Sequence, residues 1–546
     1  MSVEGRKVGV EVALRAALRR ELAGAVALRR ELHAAPRVSG EEGPTLRRVL
    51  RALPVGGAVE HVAGTGAVVR IGGGGAAVGV RGELDALPIA ERTGVAWAAG
   101  NGAMHACGHD VHLAAVVAVA RAVAAVAAGS MGEVDLGVIE EAAAEGAAEA
   151  AGRRTNGHAG VGGVAGAHAG GHGGAHAGGQ VNGHGGGHGG GHGGGHGGGH
   201  GGGHGGGHGG GHGGGHGGGH GGGHAGGVSE GGARDASEMV TEAAEAVAEV
   251  AAEGAAEAVA EAVTGGGLAP LVVVLQPREE TFPSGAADVV TSGALTRHHV
   301  QAMIGAHVQP VLPAGTVACA PGPVNAASDE FRVTVKGVEG HAAYPHLTRD
   351  PVLAMAQVIV AAQHLVSRVA DPMAPTVVTF GTVNAGTTPN AVPVEAVARG
   401  TLRTMSQEWR ERLYRRFTQV VEDTARAYGC VAEVEIFPGE PILVNDPALA
   451  ALAGERLREH GWMVDDELRS CGADDFARYG DVAASLMMFV GVDTEKGLHS
   501  PAFLPGDAAV EAVADALLAG YLAAAPSAAS SAPSSTTGAP SAADGR

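Results

Sequence analysis

The run Met104-His105-Ala106-Cys107-Gly108-His109-Asp110-Val111-His112 places a thiol and an imidazole two positions apart on one turn. Thiolate and imidazole suit a borderline cation such as zinc, and one residue between them lets both reach the same ion. A second loaded turn follows the apolar run Leu271–Leu275, where Gln276-Pro277-Arg278 leads into Glu279-Glu280. Adjacent carboxylates at the end of an apolar strand are costly unless a cation holds them. One of the pair can coordinate while its neighbour takes a proton from water. His307 follows the apolar run Ala302–Ala306, and His499 follows Leu486–Gly491 within Leu498-His499-Ser500-Pro501. Taken singly, each has a plain structural explanation as a buried thiol, a core imidazole or a surface acid pair. Taken together, Cys107, His109, Glu280, His307 and His499 form a five-donor set at strand ends, and coincidence is the poorer explanation.

The elements needed to position such a set are legible in the hydropathy pattern. Val78-Gly79-Val80-Arg81 leads into Glu83-Leu84-Asp85-Ala86-Leu87-Pro88, another apolar run with a polar end. Continuous apolar strands alternating with helices imply an α/β fold with a parallel or mixed sheet buried on both faces. Ligands then bind beyond the carboxyl ends of the strands. Residues 328–437 read differently. Strands Phe331–Lys336, Thr376–Val383, Val394–Arg403 and Val431–Phe437 interleave with helices Asp350–Ala370 and Ser406–Tyr428, with Ser406 as N-cap and Gly429 just past the end. The order βαββαβ predicts a ferredoxin-like lid or dimerisation domain inserted into a catalytic domain. That catalytic domain is expected in three parts, 1–129, 268–327 and 438–523. Between the first two lies an insertion, 130–267, and residues 524–546 form a Ser/Pro/Ala tail expected to be disordered.

Composition narrows the function classes. At 546 residues and 45% hydrophobic content, the chain can build two or three domains with sizeable cores. Only 3% of residues are aromatic, which disfavours a stacking surface for single-stranded nucleic acid, and a net charge of −20 disfavours binding to phosphate backbones. That charge is concentrated: residues 130–267 hold fifteen acids against three bases, net −12, which leaves −8 for the remainder. The same segment holds 15 of the 28 histidines, spaced every fourth position from His168 to His224 except at Gln180, mostly as Gly-Gly-Gly-His. Two flanking stretches share Ala-Ala-Glu-Gly-Ala-Ala-Glu-Ala, at 143–150 and 251–258, and their pattern suggests paired helices. Imidazoles on flexible glycine linkers can converge on zinc, nickel, cobalt or copper, so additional metal on this insertion is one expectation, and a passive linker is the other.

Cys107, Cys319, Cys430 and Cys471 are scattered without a paired motif, as in a reducing compartment. The N-terminal region is an arginine-studded amphipathic helix to about Leu32 without a signal-peptide core, and no uncharged apolar run approaches 18 residues. The expectation is a cytoplasmic protein that spans no membrane.

Ten strings in this sequence, in order, resemble the M20 metallopeptidase family, in its aminoacylase/amidohydrolase branch that includes hippurate hydrolases and auxin-conjugate hydrolases. They are Arg30–His33, Arg81–Ile89, Met104–His112, Gln276–Glu280, Gly305–Val308, Gly337–His346, Thr388–Pro393, Gly400–Thr404, Ala473–Phe476 and Leu498–Phe503. They cover the chain apart from the insertion and the tail. The resemblance implies a metal-dependent amidohydrolase acting on N-acyl amino acids, with two divalent ions (zinc, manganese, cobalt or nickel) held by Cys107, His109, Glu280, His307 and His499. It implies that Glu279 is the general base, that Asp85 orients the site, and that His341 stabilises the oxyanion, often across a homodimer. It implies that Asn390 and Arg403 bind the substrate's amide and carboxylate, the latter a natural task for a guanidinium fork.

Two other readings compete with this one. A biosynthetic deacetylase of the N-acetyl-diaminopimelate type differs only in pocket shape. A metal-storage or metallochaperone protein on a retired hydrolase scaffold would not need Glu279. Three departures from the family pattern stand out: Pro36-Arg37 where Pro-Glu is frequent, a position expected to lie far from the metal motifs and to be harmless; Asp474-Asp475-Phe476 where Glu-Asp-Phe is usual, a shorter acid expected to alter support behind the donors; and the insertion itself. A helix starting near Val111 and running about 18 residues spans roughly 27 Å. The insertion should therefore leave the fold at the edge opposite the metals.

Overall fold

A computed structural model of the chain describes residues 3–54, 59–128 and 268–530, all within one compact unit. The histidine-rich tract, both alanine–glutamate stretches and the segment beyond 530 lie outside the described residues.

Eight strands form one sheet: β1 (Val59–Val62), β2 (Gly66–Ile71), β3 (Ala77–Glu83), β4 (Leu271–Gln276), β5 (Val300–Gln309), β6 (Thr316–Ala318), β15 (Met463–Asp465) and β16 (Ala484–Gly491). Their spatial order is β1-β2-β4-β3-β5-β16-β6-β15. The central four, β4, β3, β5 and β16, run parallel, which brings their carboxyl ends to one edge. Alternation along each strand divides the core in two. On β4, Leu271, Val273 and Leu275 face helices α1 (Val3–His33), α3 (His109–Ala127) and α9 (Ala508–Ser530). Val272 and Val274 face the other way, toward Val289 of α4 (Gly285–Thr291), Leu295 of α5 (Ala294–Arg297), Phe476 and Tyr479. Helix α3 is apolar on nearly every side because it is enclosed between the sheet, α1 and α9, so its composition reflects burial.

Among the described residues, three helices are long and apolar enough to cross a membrane by length and composition. Those at His109–Ala127 and Ala508–Ala525 bury 78% of the apolar window inside the protein, whereas Pro351–Val369 buries 28%.

The inserted module is as expected in class. Strands β8 (Ala327–Lys336), β10 (Thr376–Ala385), β12 (Glu395–Thr404) and β13 (Val431–Pro438) form an antiparallel sheet in the order β10-β12-β8-β13. Helices α6 (Pro351–His364) and α7 (Gln407–Ala427) cover it around Phe331, Val333, Leu402, Leu413 and Phe417. Asp350 caps α6 through the amides of Val352 and Leu353, and Ser406 caps α7 through the amide of Trp409. The predicted helix ending at Ala370 instead finishes in a π-helical turn, Leu365–Val369. A short ladder of β9 (Gly340–His341) with β11 (Ala391–Val392) sits beside this sheet. A second, β7 (Gly322–Asn325) with β14 (Leu443–Asn445), ties together the chain entering and leaving the module. Helices α2 (Gly43–Ala52) and α8 (Pro447–Glu459) complete the main layers.

One boundary is corrected. The first residues of the segment 524–546, expected as a disordered tail, belong to α9, which runs through Ser530, and residues beyond 530 lie outside the described residues. Ala523 and Ala524 are buried and continue the packed face of the helix past residue 522.

Candidate metal centre

Cys107 and His109 are set by one glycine. Gly108 has φ +89° as the residue before α3, and a Cβ there would lie 2.4 Å from Val308 Cγ2. The tight left-handed turn leaves Cys107 on the loop and makes His109 the first helical residue. His109 Nδ1 donates to the Asp85 carbonyl at 2.9 Å, which leaves the Nε2 lone pair facing Glu279 Oε2 at 3.6 Å and Glu280 Oε1 at 4.0 Å. His307 lies within β5 rather than after it, and its Nδ1 donates to the Val308 carbonyl at 2.7 Å. Its Nε2 stands 3.4 Å from Cys107 Sγ. His499 is tied through its backbone amide to Ala106 O at 2.9 Å, and its Nε2 is 3.5 Å from Glu280 Oε1. The backbone of His499 has φ +65°, uncommon for a side-chain-bearing residue, and its side chain is 53% exposed. One donor atom from each of Cys107, Glu280 and His499 lies within 4.8 Å of the others, and the same holds for His109, Glu279 and Glu280. The fold thus brings all five expected donors, with Glu279, to the carboxyl edge of the central strands.

Asp85 is buried among them. Its Oδ2 accepts from Ser39 Oγ at 2.7 Å and from the Glu280 amide at 3.0 Å, so it fixes the backbone that presents the carboxylate pair. Asp85 Oδ1, His109 Nε2 and Glu280 Oε1 are fully buried without hydrogen-bond partners among the described residues. Leaving such groups unsatisfied costs about 1–3 kcal/mol each, and more for charged ones. A cation between His109 Nε2 and Glu280 Oε1 would satisfy both, and the mixed nitrogen, oxygen and sulfur donors fit a borderline divalent metal.

The electrostatics agree. Burial pushes the Glu279 carboxyl well up, reinforced by Glu280, Asp474 and Asp475 against the pull of Arg81. Burial, then the charges of Glu280 and Glu279, pushes the Cys107 thiol well up. His307 is pulled down to about 3 by burial and by the neighbouring His112. Burial alone would lower His109, but Glu83, Asp85 and Glu280 outweigh it and hold its affinity for a proton up.

A buried layer of charged and polar groups lies beneath, of which only Asp474 and Asp475 stood out in the sequence. Arg81, 2% exposed, donates to Glu83 at 2.7 Å, Asp474 at 2.8 Å, Asp475 at 2.9 Å and Gln276 at 3.1 Å. Gln276 Nε2 donates to both Asp475 oxygens at 2.8 Å, and Tyr479 donates to Gln276 Oε1 at 2.7 Å. The shorter Asp474 keeps this bond to Arg81 and also caps the amide of Phe476 at 2.8 Å. His112 has both ring nitrogens engaged: Nδ1 donates to Glu83 at 3.2 Å and Nε2 accepts from the Val308 amide at 3.0 Å. It is a brace for β5, with no lone pair left for an ion. The available signal was Arg81-x-Glu83, two charges at period two on a strand whose seven residues are all buried.

The lid residues stand apart. His341 is exposed on β9 and cross-strand from Ala391, and Asn390 O accepts from the Ala342 amide at 3.0 Å, so His341 and Asn390 are neighbours. Arg403, on β12, has a buried Nη1 without a partner, and burial lowers its affinity for a proton. None of the three contacts the five donors among the described residues. Arg37 corrects an expectation. Far from the motifs in sequence, it lies beside them in space: its carbonyl accepts from the Ala86 amide at 2.8 Å, next to Asp85, because Val38 bridges to Ala86.

Comparison with known proteins places this arrangement. Residues 326–429 match the model of the M20 peptidase dimerisation domain. An N-acetyl-L-cysteine deacetylase of Bacillus subtilis is 35% identical over 238 residues, 44% of this chain and 56% of the relative. An N-acetyldiaminopimelate deacetylase of Listeria monocytogenes is 32% identical over 251 residues, 45% of this chain and 67% of the relative. The chain spans little more than half the length of the first of these. Among solved structures, a protein described as an aminohydrolase from methicillin-resistant Staphylococcus aureus superposes with a TM-score of 0.63 at 20% identity, covering 94% of this chain and 98% of that one. A dinuclear metal-binding M20 peptidase from Bacillus subtilis superposes at 0.59 with 21% identity, covering 93% and 99%. The chain belongs to the M20 peptidase family.

Proposed function

We propose that the protein is a metal-dependent amidohydrolase that cleaves the amide of N-acyl amino acids. The observation that carries this reading is the convergence of Cys107, His109, Glu280, His307 and His499 around unsatisfied buried donor atoms, with Glu279 beside them. Two divalent cations (zinc, manganese, cobalt or nickel) held by those five residues would supply Lewis acidity and a more acidic water. Glu279 takes the proton of the attacking water and delivers it to the departing nitrogen. Burial and three neighbouring carboxylates, which hold its proton affinity high, suit it to carrying a proton at neutral pH. Asp85 holds the Glu279–Glu280 turn and the His109 ring in register.

His341 stabilises the tetrahedral oxyanion, Asn390 binds the amide, and Arg403 pairs with the substrate carboxylate. Their separation from the donors within one chain, and the match to a dimerisation domain, support a homodimer in which the lid of one subunit completes the other's site. The biosynthetic alternative, deacetylation of an N-acetyl-diaminopimelate, is favoured by the relatives that carry that name. A metal-storage role is disfavoured because storage needs no Glu279. The four cysteines, all free, accord with a cytoplasmic setting. The histidine-rich insertion is proposed as a further metal-binding segment.

Glu279→Gln tests the mechanism. Turnover of N-acetyl, N-benzoyl and indole-acyl amino acids should fall by about 10²–10⁴-fold while both ions stay bound. Unchanged turnover refutes the assigned base, and the substrate ranking in the native protein separates hippurate-type from deacetylase activity.

A further inference from the structure

The end of α1 reaches two segments, the start of α3 beside His109 and the end of the loop that carries His499. Arg29 is 1% exposed. Its Nε donates to Asp110 Oδ2 at 3.2 Å, and Asp110 directly follows His109. Its Nη2 donates to the Pro505 carbonyl at 2.6 Å, and its Nη1 to the Gly506 carbonyl at 3.0 Å and Asp507 Oδ1 at 3.1 Å. One guanidinium thus joins the start of α3 to the far end of the loop carrying His499.

That loop needs an external anchor. His499 is half exposed and left-handed, so its own packing does little to hold it. The loop is pinned at its start by the His499 amide on Ala106, midway by Pro501 O accepting from the Arg92 amide at 2.7 Å, and by the buried ring of Phe503. At its end Arg29 supplies its charged anchor within the protein interior. Only a planar fork with all three nitrogens donating can serve both carbonyls and both acids from one buried position.

We propose that Arg29 is a positioning residue for the metal centre, fixing the loop of His499 against the helix of His109 so that the two donors keep their spacing. This rests on the metal-centre reading above. Loss of a group that orients a ligand typically weakens metal binding by about 10–100-fold.

The test uses the full chain stripped of metal and titrated with zinc against a competing chelator. Native protein, Arg29→Lys, His499→Ala and the double variant are compared, with melting temperatures recorded. Arg29→Lys should weaken the more loosely held ion about tenfold or more. In the His499→Ala background the same change should weaken it less than about twofold, because the ligand through which Arg29 acts is gone. A tenfold effect that persists undiminished without His499 would show a merely structural role and overturn the inference, as would native-like affinity in Arg29→Lys. If Arg29→Lys does not fold, Asp507→Asn removes one arm at the surface. Weakened zinc binding that disappears beside His499→Ala supports the inference, and unchanged binding overturns it. Zinc binding that His499→Ala leaves untouched overturns the metal-centre reading itself and this inference with it.

Discussion

Cys107 is a thiol at neutral pH in the metal-free protein, because burial and the Glu280 and Glu279 charges oppose its ionisation. Ligation requires the thiolate, so metal uptake should expel at least one proton and affinity should climb by up to about tenfold per pH unit. Calorimetry in buffers of differing ionisation enthalpy reads the proton, and Cys107→Ala should reduce it. His33 titrates with the opposite consequence. Its Nδ1 bonds Asp110 and its Nε2 bonds Glu91, both at 3.0 Å, and these two carboxylates outweigh burial and raise its affinity for a proton. A raised imidazolium stabilises the fold fully below its unfolded value near 6.5, and that contribution disappears as pH climbs through the folded value. His33→Asn should therefore cost about 3 kcal/mol at pH 6 and progressively less in alkali, as read from denaturation midpoints across pH. The five expected donors stood out in the sequence because Cys107 and His109 share one short turn, Glu280, His307 and His499 come at or after the end of apolar runs, and each offers a metal-binding atom type. Arg29 and His112 did not, since their roles depend on partners as much as hundreds of positions away, and Arg81 showed only its pairing with Glu83 and not its bonds to Gln276, Asp474 and Asp475.

Turns and strands explain what the local pattern could show. Period-two alternation and the caps at Asp350 and Ser406 set the inserted module by local rules, which is why its element order was readable. Helix α3 begins at His109, two residues before the expected start near Val111, because the left-handed Gly108 is the hinge that lets the helix begin there. A tighter constraint lies at Gly285, where a Cβ would sit 1.7 Å from the Pro277 carbonyl oxygen. Backbone cannot yield there without moving the turn that presents Glu279 and Glu280. Gly285→Ala should cost about 1–3 kcal/mol in chemical denaturation and lower turnover as well.

Across the whole molecule, the parallel central strands gather the donors at one edge, while α3 carries the chain away from it. At 19 residues α3 is roughly 28 Å long, and β4 begins at the opposite end of the sheet from Glu279. Deleting residues 157–225 should therefore leave turnover unchanged, within about twofold, when metal is saturating. If the insertion supplies ions, the shortened protein should fall behind when free zinc is held scarce by a chelator. Equal performance at both levels would leave only the linker interpretation of that tract.

The exit at Ala128 and the return at Leu268 have a practical corollary. They form a natural splice point on the side of the protein remote from chemistry, already tolerant of well over a hundred foreign-looking residues. A fluorescent reporter or an affinity handle grafted there would ride on the protein without crowding the edge that carries the candidate metal donors.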